Sequence, residues 1–489
     1  MHRRSRVPRR PGGQGHGPWA LREPSDADRR AFAEASETPF WLDSPERPAP
    51  RAPLAGGGET ELAIVGGGLS GLWAALLAKQ RDPGRDVVVV DAGELAGAAS
   101  GRNGGFMVSF LTHGIENGAA RFPEEMQTLE RLGVENFTAT CAEIQRLGID
   151  CGLELSGDLD VAVEPHELEW LAESAAELAR HGHTAELLDR DQVRAEIASP
   201  LFEGGLWRRT GAALVDPARL GWGLARAAEE LGVRIHERTE VRRLAGEGGV
   251  VGLVTDSGTL RAERTVLATS AFPGLIGAVR RRVIPVWDYV LVTEPLSSEQ
   301  RRAIGWARRQ GLGDIANRFH YSRLTADGRI LWGGFDAIYR YANGIGPELA
   351  QRERSFAALA GHFFTAFPQL EGLRFSHRWG GAIDTCSRFF AFYGTAHEGR
   401  VAYTVGHTGL GVGASRFGAE VALDLLDGRE TEATRLRAIR SQPLPFPPEP
   451  LRWAVIELTR NRLAAADRRG GRRGLWLRTL DRLGLGFDS

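Results

Sequence analysis

The regular pattern of hydrophobic and polar positions begins at Glu61 and predicts a strand, a glycine turn, a helix and a second strand. In chain order these segments are ELAIV (61–65), GGGLSG (66–71), LWAALLAKQ (72–80) and DVVVVD (86–91). The two apolar runs contain β-branched residues, and the segment between them has the residue types of a buried helix. A strand, helix and strand in close succession predict a βαβ unit with a parallel sheet.

Beyond residue 120 the pattern predicts amphipathic helices and antiparallel strands. Apolar positions recur every three or four residues over 123–147 and 166–180, which is typical of amphipathic helices. Aromatic and polar residues alternate over 285–295 and 319–341 around an Asp-Gly turn, which favours an antiparallel sheet. A further helix is expected near 348–367. The predicted fold class is therefore α/β, with an α+β part built on an antiparallel sheet.

Composition and charge narrow the class of protein. The chain has 61 Lys+Arg against 62 Asp+Glu, a formal net charge of −1, and 42% hydrophobic residues. These are globular values, and the balanced charge argues against a dedicated nucleic-acid-binding protein. Three cysteines without metal-ligand spacing indicate neither a disulfide framework nor a metal site, so a reducing cytoplasm is expected. No run approaches the roughly 20 apolar residues of a membrane-spanning helix.

The two terminal segments differ from the rest of the chain. Residues 1–58 are expected to form an N-terminal tail and extended arm, because they are rich in Pro, Gly and charge and end in a flexible AGGG. Residues 433–489 include a basic helical segment with a Gly-Gly break. Two interpretations of this C-terminal tail remain open. The pattern favours packing of its Leu and Trp residues on the protein body, and the alternative is a helix lying on a membrane surface.

The strongest chemical signal is the G-x-G-x-x-G of the glycine turn, which follows a strand and begins a helix. Gly66 permits the tight turn, Gly68 lets a pyrophosphate approach the backbone, and Gly71 lets helix and sheet pack closely. Asp91 follows Gly71 by about 20 residues, where a carboxylate accepts hydrogen bonds from a ribose and disfavours a 2′-phosphate. The residues predicted to hold the dinucleotide here are Gly66, Gly68, Leu69, Ser70, Gly71, Asp91 and Ala92.

FAD and NAD both fit the βαβ unit. Two further glycine-rich loops bear on which of the two dinucleotides is bound. The first loop offers N–H groups, a hydroxyl and a guanidinium to a second phosphate and a flat ring, from Ser100, Gly101, Arg102, Asn103, Gly104 and Gly105. The second begins a helix whose positive end suits the anionic edge of a reduced flavin, with Gly406, His407, Thr408, Gly409, Leu410 and Gly411. Taken alone, both loops also fit ordinary glycine turns.

With these residues the sequence resembles the D-amino-acid-oxidase family of FAD-dependent oxidoreductases, which includes glycine and sarcosine oxidases and γ-glutamylputrescine oxidoreductase. The resemblance is carried by LAIVGGGLSGLWAALLAKQRDPGRDVVVVDAGELAGAASGRNGGF (62–106), TVLATSAF (265–272) and GHTGLGVG (406–413). It implies bound FAD, with Ala268 and Thr269 near the flavin nucleotide and Val241 near the adenine. Val241 is equally well interpreted as a core residue.

The resemblance also implies a division into domains. The implied Rossmann-like FAD-binding domain is discontinuous, at 59–112, 205–275 and 376–432. The implied substrate domain lies over the flavin, at 113–204 and 276–375.

The implied activity is oxidation of the C–N bond of an amine or amino acid to an imine, with hydride transfer to flavin N5 and reoxidation by oxygen or another acceptor. Aromatic walls with a few charges suit an amine, although such aromatics are also typical of a core. The candidate substrate residues are Phe106, Tyr289, His320, Tyr321, Arg323 and Asp336. Asp336 would attract a cation, and Arg323 is the alternative partner for a substrate carboxylate. The rival functions are an NADPH-dependent flavin monooxygenase, a quinone-linked dehydrogenase and a non-catalytic flavoprotein.

Two residues test details of this resemblance. Some relatives attach FAD through a late cysteine, but Cys386 lies several residues after the matching position near Gly380, so non-covalent FAD is expected. Some oxidase relatives hold a lysine beside the flavin. The only lysine here is Lys79, which is predicted to lie about two helical turns beyond Gly71 and away from the flavin. Either a histidine or arginine replaces that lysine, or oxygen is not the electron acceptor.

Overall fold

The structure is a computed structural model that describes residues 19, 23–272, 274–482 and 485. The described strands are β1 (Gly58–Val65), β2 (Val87–Val90), β3 (Phe106–Val108), β4 (Asp158–Ala162), β5 (Glu186–Leu188), β6 (Gly204–Arg208), β7 (Ala212–Leu214), β8 (Arg234–His236), β9 (Arg243–Glu247), β10 (Val250–Thr255), β11 (Gly258–Leu267), β12 (Ile284–Thr293), β13 (Gly311–Asp314), β14 (His320–Leu324), β15 (Ile330–Gly334), β16 (Ile338–Tyr339), β17 (Phe375–Thr385), β18 (Phe392–Ala396) and β19 (Val401–Val405). The described α-helices are α1 (Asp26–Ala31), α2 (Leu69–Arg81), α3 (Gly114–Arg121), α4 (Met126–Arg146), α5 (Glu167–Arg180), α6 (Arg190–Glu196), α7 (Pro217–Glu230), α8 (Gly277–Arg280), α9 (Ser298–Ile304), α10 (Glu353–Ala366), α11 (Gly411–Leu426), α12 (Glu432–Arg435), α13 (Arg437–Arg440), α14 (Leu451–Asp467) and α15 (Leu475–Arg482).

The first sheet has a parallel centre. Its strands run in the order β18-β19-β11-β1-β2-β8, and the neighbours from β19 to β8 are parallel. β18 joins the edge antiparallel to β19, and the β9–β10 hairpin pairs with β11. Helices α2 and α11 pack against each other and against this sheet, with the Trp73 side chain fully buried between them. The predicted βαβ unit with a parallel sheet is confirmed.

The carboxyl ends of four adjacent parallel strands meet at one edge of this sheet. Gly66, Asp91, Ala268 and Gly406 directly follow β1, β2, β11 and β19. Gly66 has φ +113°, and a Cβ there would lie 2.4 Å from the carbonyl oxygen of Ala268. A Cβ on Gly71 would lie 1.8 Å from the carbonyl oxygen of Gly66. These contacts require glycine, because only a residue without a side chain fits.

The second sheet is mostly antiparallel and faces the same carboxyl edge of the first sheet. Its order is β16-β12-β15-β14-β13-β4-β6-β5, with β17 paired along the length of β12. The boundaries expected at 205 and 376 both fall within strands of this sheet, namely β6 and β17. The expected boundaries missed these strands because sequence patterns do not show pairing between distant segments. In the structure β6 pairs with β4, and β17 pairs with β12. We therefore assign both strands to the second sheet.

Both terminal segments pack on the protein body where the structure describes them, and residues 1–18 of the expected tail lie outside the described residues. In the arm, the indole N–H of Trp41 donates to the carbonyl of Asn103 at 2.8 Å. In the C-terminal tail, Arg452 donates to the Asn343 Oδ1 at 2.9 Å, and Asp467 accepts from the Asn317 side chain at 2.6 Å. Of the helices that the structure describes, none has the length and apolar character needed to cross a bilayer.

Candidate active site

A cavity of about 2320 Å³ separates the carboxyl edge of the first sheet from one face of the second. Pockets for small molecules are roughly 300–1,000 Å³, so this volume can hold a dinucleotide and a substrate together. Residues from α14 and α15 also line it, among them Val455, Ile456 and Leu480. The C-terminal tail thus forms part of the cavity wall.

Asp91 fixes the glycine turn at one end of this cavity. Its Oδ2 accepts from the backbone N–H of Gly67 at 2.6 Å, and its Oδ1 accepts from that of Gly93 at 2.7 Å. Burial raises the pKa of Asp91 from its usual range. The carboxylate also lines the cavity, where it can accept hydrogen bonds from a ribose.

The loop after β2 lies against the start of α2. Ser100 Oγ accepts from the backbone N–H of Leu69 at 3.0 Å, and a Cβ on Gly68 would lie 2.8 Å from that oxygen. Arg102 donates from Nε to the carbonyl of Gly97 at 2.8 Å. The loop therefore presents the Ser100 hydroxyl to the helix amino terminus, the position at which a phosphate is bound in such sites.

Three residues that the sequence analysis did not identify hold these loops in place. Trp41 and Trp379 donate their indole N–H groups to the carbonyls of Asn103 and Arg102, at 2.8 and 2.9 Å. Asp384, which is 4% exposed, holds the turn before α11. A lone acid in the apolar strand GGAIDT was the only sequence signal for Asp384.

The turn before α11 is organised by hydrogen bonds to Asp384. Its Oδ2 accepts from the backbone N–H groups of Gly406 at 2.7 Å and His407 at 3.2 Å. The His407 imidazole joins this turn to α2, because its Nε2 lies 3.4 Å from Ser70 Oγ. α11 begins after Leu410 without a side-chain cap, so its first N–H groups can meet an anionic ligand.

Most of the residues predicted to hold the cofactor line this one cavity. They are Gly66, Gly68, Leu69, Ser70, Asp91, Ala92, Ser100, Arg102, Asn103, Gly104, Val241, Ala268, Thr269, His407, Thr408, Gly409, Leu410 and Gly411. The others support the turns, because each glycine is packed too closely to carry a side chain. A Cβ on Gly101 or on Gly105 would lie 2.3 or 2.1 Å from a backbone oxygen, and a Cβ on Gly406 would lie 2.9 Å from the Phe392 ring. This arrangement fits FAD, since it combines uncapped helix termini, close-packed glycines and the Asp91 carboxylate. The contacts between individual residues and FAD stay predictions.

Asp288 and Tyr321 form the polar centre of the wall opposite the glycine turn. The Tyr321 hydroxyl donates to Asp288 Oδ2 at 2.6 Å, and both residues line the cavity. Burial raises the pKa of Asp288 to about 6, so its carboxyl is ionised at neutral pH. The Tyr321 ring meets the Phe106 ring edge-on at 5.9 Å, and a Cβ on Gly104 would lie 2.8 Å from it. The pair therefore lies directly beside the loop after β2.

The other four candidate substrate residues are not among the described residues that line the cavity. The Tyr289 hydroxyl donates to the Leu349 carbonyl at 3.0 Å within the core. His320 is 1% exposed and lies 2.7 Å from Asp314, and burial lowers its pKa to about 3. Both side chains lie on the core face of the sheet.

The two charged candidates are occupied by protein partners. Arg323 is covered by the chain at Val215, to whose carbonyl it donates at 2.6 Å. Asp336 accepts from Arg352 at 2.8 Å and from Ser355 at 2.7 Å. Asp288, unlike Asp336, lines the cavity, so Asp288 replaces Asp336 as the candidate carboxylate.

Cys386 and Lys79 lie away from the cavity wall. The Cys386 thiol is fully buried, donates to the Phe390 carbonyl at 3.1 Å and has a pKa raised by burial. The Lys79 ammonium donates to the carbonyls of Pro83 and Arg85 at 2.6 and 2.9 Å, at the far end of α2. Neither residue is placed to bond to or act on a flavin in this cavity.

A parallel sheet with a glycine turn at its carboxyl edge, facing a substrate-sized cavity, defines a dinucleotide-dependent enzyme. The family profile described as "FAD dependent oxidoreductase" matches residues 61–425, so the chain belongs to that family of FAD-dependent enzymes. The chain is 30% identical over 395 residues to γ-glutamylputrescine oxidoreductase of Escherichia coli K12, covering 79% of this chain and 88% of that protein. It is 28% identical over 349 residues to D-amino acid dehydrogenase of Sinorhizobium medicae, covering 68% and 79%.

Solved structures show the same fold. Glycine oxidase from Geobacillus kaustophilus superposes with a TM-score of 0.64 at 20% identity, covering 78% of this chain and 99% of that one. The resemblance to the D-amino-acid-oxidase family is thereby confirmed, together with the FAD dependence of the family.

Gly68→Val is expected to give colourless protein, whereas the wild type is purified yellow. The valine side chain would collide with Ser100 Oγ, which lies 2.8 Å from the position of a Cβ on Gly68, at the start of α2 where the pyrophosphate is predicted to lie. The absorbance ratio of flavin to protein after purification measures the loss. Gly84→Val, at an exposed turn, is the matched control and should stay yellow. A yellow Gly68→Val protein would show that the pyrophosphate lies elsewhere.

Acid precipitation is expected to release the flavin into the supernatant. The reason is that the buried Cys386 thiol does not reach the cavity wall, so no thioether from it can retain the cofactor. Fluorescence of the supernatant and pellet measures the partition. Flavin that stays with the pellet, and is lost from it in Cys386→Ser, would overturn the non-covalent assignment.

Proposed function

We propose that this enzyme oxidises a carbon–nitrogen bond of an amine that is bound between Asp288 and the loop after β2. The observation that carries the proposal is the Asp288–Tyr321 pair, which faces the same cavity as the glycine turn and lies beside Gly104. When bound, FAD accepts the two electrons removed from the carbon next to nitrogen. The similarity to a γ-glutamylputrescine oxidoreductase supports an amine substrate.

The chain's own groups then have separate tasks. Asp288 attracts the substrate ammonium, because its carboxyl is ionised above a pH of about 6. The ammonium releases one proton to solvent, and the neutral amine is the form whose carbon–nitrogen bond is oxidised. Tyr321 donates to one carboxylate oxygen of Asp288 and thereby fixes the orientation of the carboxylate. The rings of Tyr321 and Phe106 exclude water from the same space, which strengthens the charge–charge attraction. Water from bulk solvent hydrolyses the released imine.

An amino acid is the second candidate substrate. The Arg102 guanidinium lines the cavity and could bind a carboxylate, and burial lowers its pKa without removing its charge at neutral pH. The similarity to a D-amino acid dehydrogenase supports this alternative. We favour the amine, because Arg102 already donates to the carbonyls of Gly97 and Gly380.

Anaerobic addition of a primary amine is expected to bleach the yellow flavin, whereas NADPH leaves it unchanged. A panel of alkylamines, diamines, γ-glutamylputrescine, glycine and D-amino acids, followed by absorbance, tests the proposal. Bleaching by D-amino acids alone would favour the second candidate. Bleaching by NADPH would indicate a monooxygenase instead. Repeating the assay with oxygen and with a dye acceptor identifies the reoxidant.

Asp288→Asn is expected to raise KM for the best amine by about 10- to 100-fold, since a charge-assisted hydrogen bond is lost. The flavin-reduction rate at saturating amine should change little, because the contact serves bound substrate and transition state alike. Asp336→Asn, an identical substitution at a carboxylate paired with Arg352, is the control and should leave KM unchanged. An increase in KM for Asp336→Asn with Asp288→Asn silent would contradict the assignment.

A further inference from the structure

Arg318 is a cation in the wall of the second sheet to which the proposed reaction gives no task. It lies on the loop between β13 and β14, lines the same cavity as Asp288, and has a side chain that is 21% exposed. Its Cζ lies 4.1 Å from the centroid of the Phe335 ring. An aromatic ring attracts the charge of a guanidinium without accepting a conventional hydrogen bond, so Arg318 keeps its donors for another partner.

The terminal nitrogens of Arg318 have no hydrogen-bond partner in the part of the chain that the structure describes. The ion-pair contact of this residue joins Nε to Asp467 Oδ2 at 3.7 Å, which is too long for a hydrogen bond. Asp467 also accepts from the Asn317 amide through Oδ1, at 2.6 Å. Nε is enclosed, whereas Nη1 and Nη2 are not among the enclosed nitrogens. These two nitrogens are therefore open to a ligand in the cavity.

The charge of Arg318 is incompletely balanced by its surroundings. Burial lowers its pKa, Asp467 and Asp336 oppose that shift, and the nearby Arg460 and Arg468 add to it. Both acids already accept hydrogen bonds from other side chains. A guanidinium stays protonated at neutral pH even when burial lowers its pKa. This part of the wall therefore carries a cation that an anionic ligand would neutralise.

Arg318 lies within reach of a substrate held at Asp288. Tyr321, whose hydroxyl donates to Asp288, follows Arg318 by three residues, so the Cα atoms of Arg318 and Tyr321 are at most about 11 Å apart. Phe335, which supports the guanidinium, directly follows Gly334, whose backbone N–H donates to the Asp288 carboxylate. One small molecule can therefore contact the carboxylate and the guanidinium at its two ends.

A carboxylate of the substrate fits the open end of Arg318. The terminal nitrogens of a guanidinium bind the two oxygens of a carboxylate side by side. The phosphates of FAD are predicted at the start of α2, on the opposite wall, so they are not the ligand of Arg318. Because the amine is held at Asp288, the carboxylate belongs at the other end of the substrate.

We propose that Arg318 binds a carboxylate at the far end of the amine substrate, so that the enzyme selects amines with a distal acid over simple alkylamines. The proposal rests on amine oxidation at Asp288, since it requires the amine to be held there. In such a substrate several carbons separate the carboxylate from the oxidised carbon–nitrogen bond. Arg318 is then a specificity-determining residue, and it takes no part in the oxidation itself.

The test compares 6-aminohexanoate with its neutral amide, 6-aminohexanamide, by anaerobic flavin reduction, and repeats the comparison with 8-aminooctanoate and 8-aminooctanamide. Two lengths are used because the directions of both side chains, as well as the backbone separation, set the distance between the charged groups. For at least one length, the wild type should have a KM about 10- to 100-fold lower for the acid than for the amide. In Arg318→Gln this preference should disappear, while KM for n-hexylamine stays unchanged.

Two further variants complete the design. Arg462→Gln, at an exposed position on α14, is the charge-matched control and should keep the preference for the acid. Arg318→Met retains an unbranched stem beside the Phe335 ring and replaces Arg318→Gln if that variant does not fold, with the same loss expected. A preference that survives the loss of the Arg318 charge, or an equal rise in KM for n-hexylamine, would overturn the inference.

The same measurements separate failure of this inference from failure of the proposed function. If amines bleach the flavin but each acid and its amide have equal KM in the wild type, the subsite is overturned and amine oxidation stands. If no amine bleaches the flavin, amine oxidation fails, and the thermal shift of the oxidised enzyme then measures binding. A larger shift with an acid than with its amide, lost in Arg318→Gln, would still support the subsite, and equal shifts would overturn it.

Discussion

The parallel pairing of β19, β11, β1 and β2 is the constraint on which the rest of the structure depends. Parallel strands end at a common edge, so the segments that follow them meet even when hundreds of residues separate them in sequence. Two of these strands approach closely at Gly66, where the backbone lies against the Ala268 carbonyl and leaves no space for a Cβ. This contact places the start of α2 at the edge and faces it toward the cavity.

The cavity therefore has two chemically different walls. The wall of the first sheet offers backbone N–H groups, helix amino termini and the Asp91 carboxylate, which suit phosphates and a ribose. The wall of the second sheet offers carboxylates and aromatic rings, including Asp288 and Tyr321, which suit an amine. Between them, Trp379 of β17 donates to the Arg102 carbonyl and Arg102 donates to the Gly380 carbonyl, so hydrogen bonds in both directions join the second sheet to the loop after β2.

The nucleotide wall could be predicted from the sequence because its signals are local. Gly66, Gly71 and Asp91 belong to one strand–turn–helix–strand unit, whose spacing alone indicates the site. The supports of that wall could not be predicted. Asp384 and Trp379 act on loops that lie far away in sequence, and only the pairing of β17 with β12 brings them there.

The sequence located the segments that form the wall of the second sheet, but only some of the residues on them that line the cavity. Neighbours on a strand point to opposite faces, and the sequence shows this alternation without showing which face meets the cavity. Asp288 and Tyr321 face the cavity, while their neighbours Tyr289 and His320 face the core. Both core-facing residues combine aromatic and polar character, so composition did not distinguish them from residues that line the cavity.

A crystal structure of the oxidised enzyme with FAD and an unreactive amine tests the central claim most directly, because it locates both ligands relative to the two walls. We predict the pyrophosphate at the amino terminus of α2, beside Gly68, and the amine nitrogen within hydrogen-bond distance of an Asp288 carboxylate oxygen. A pyrophosphate away from α2, or an amine nitrogen beside Arg323 or Asp336, would contradict the account.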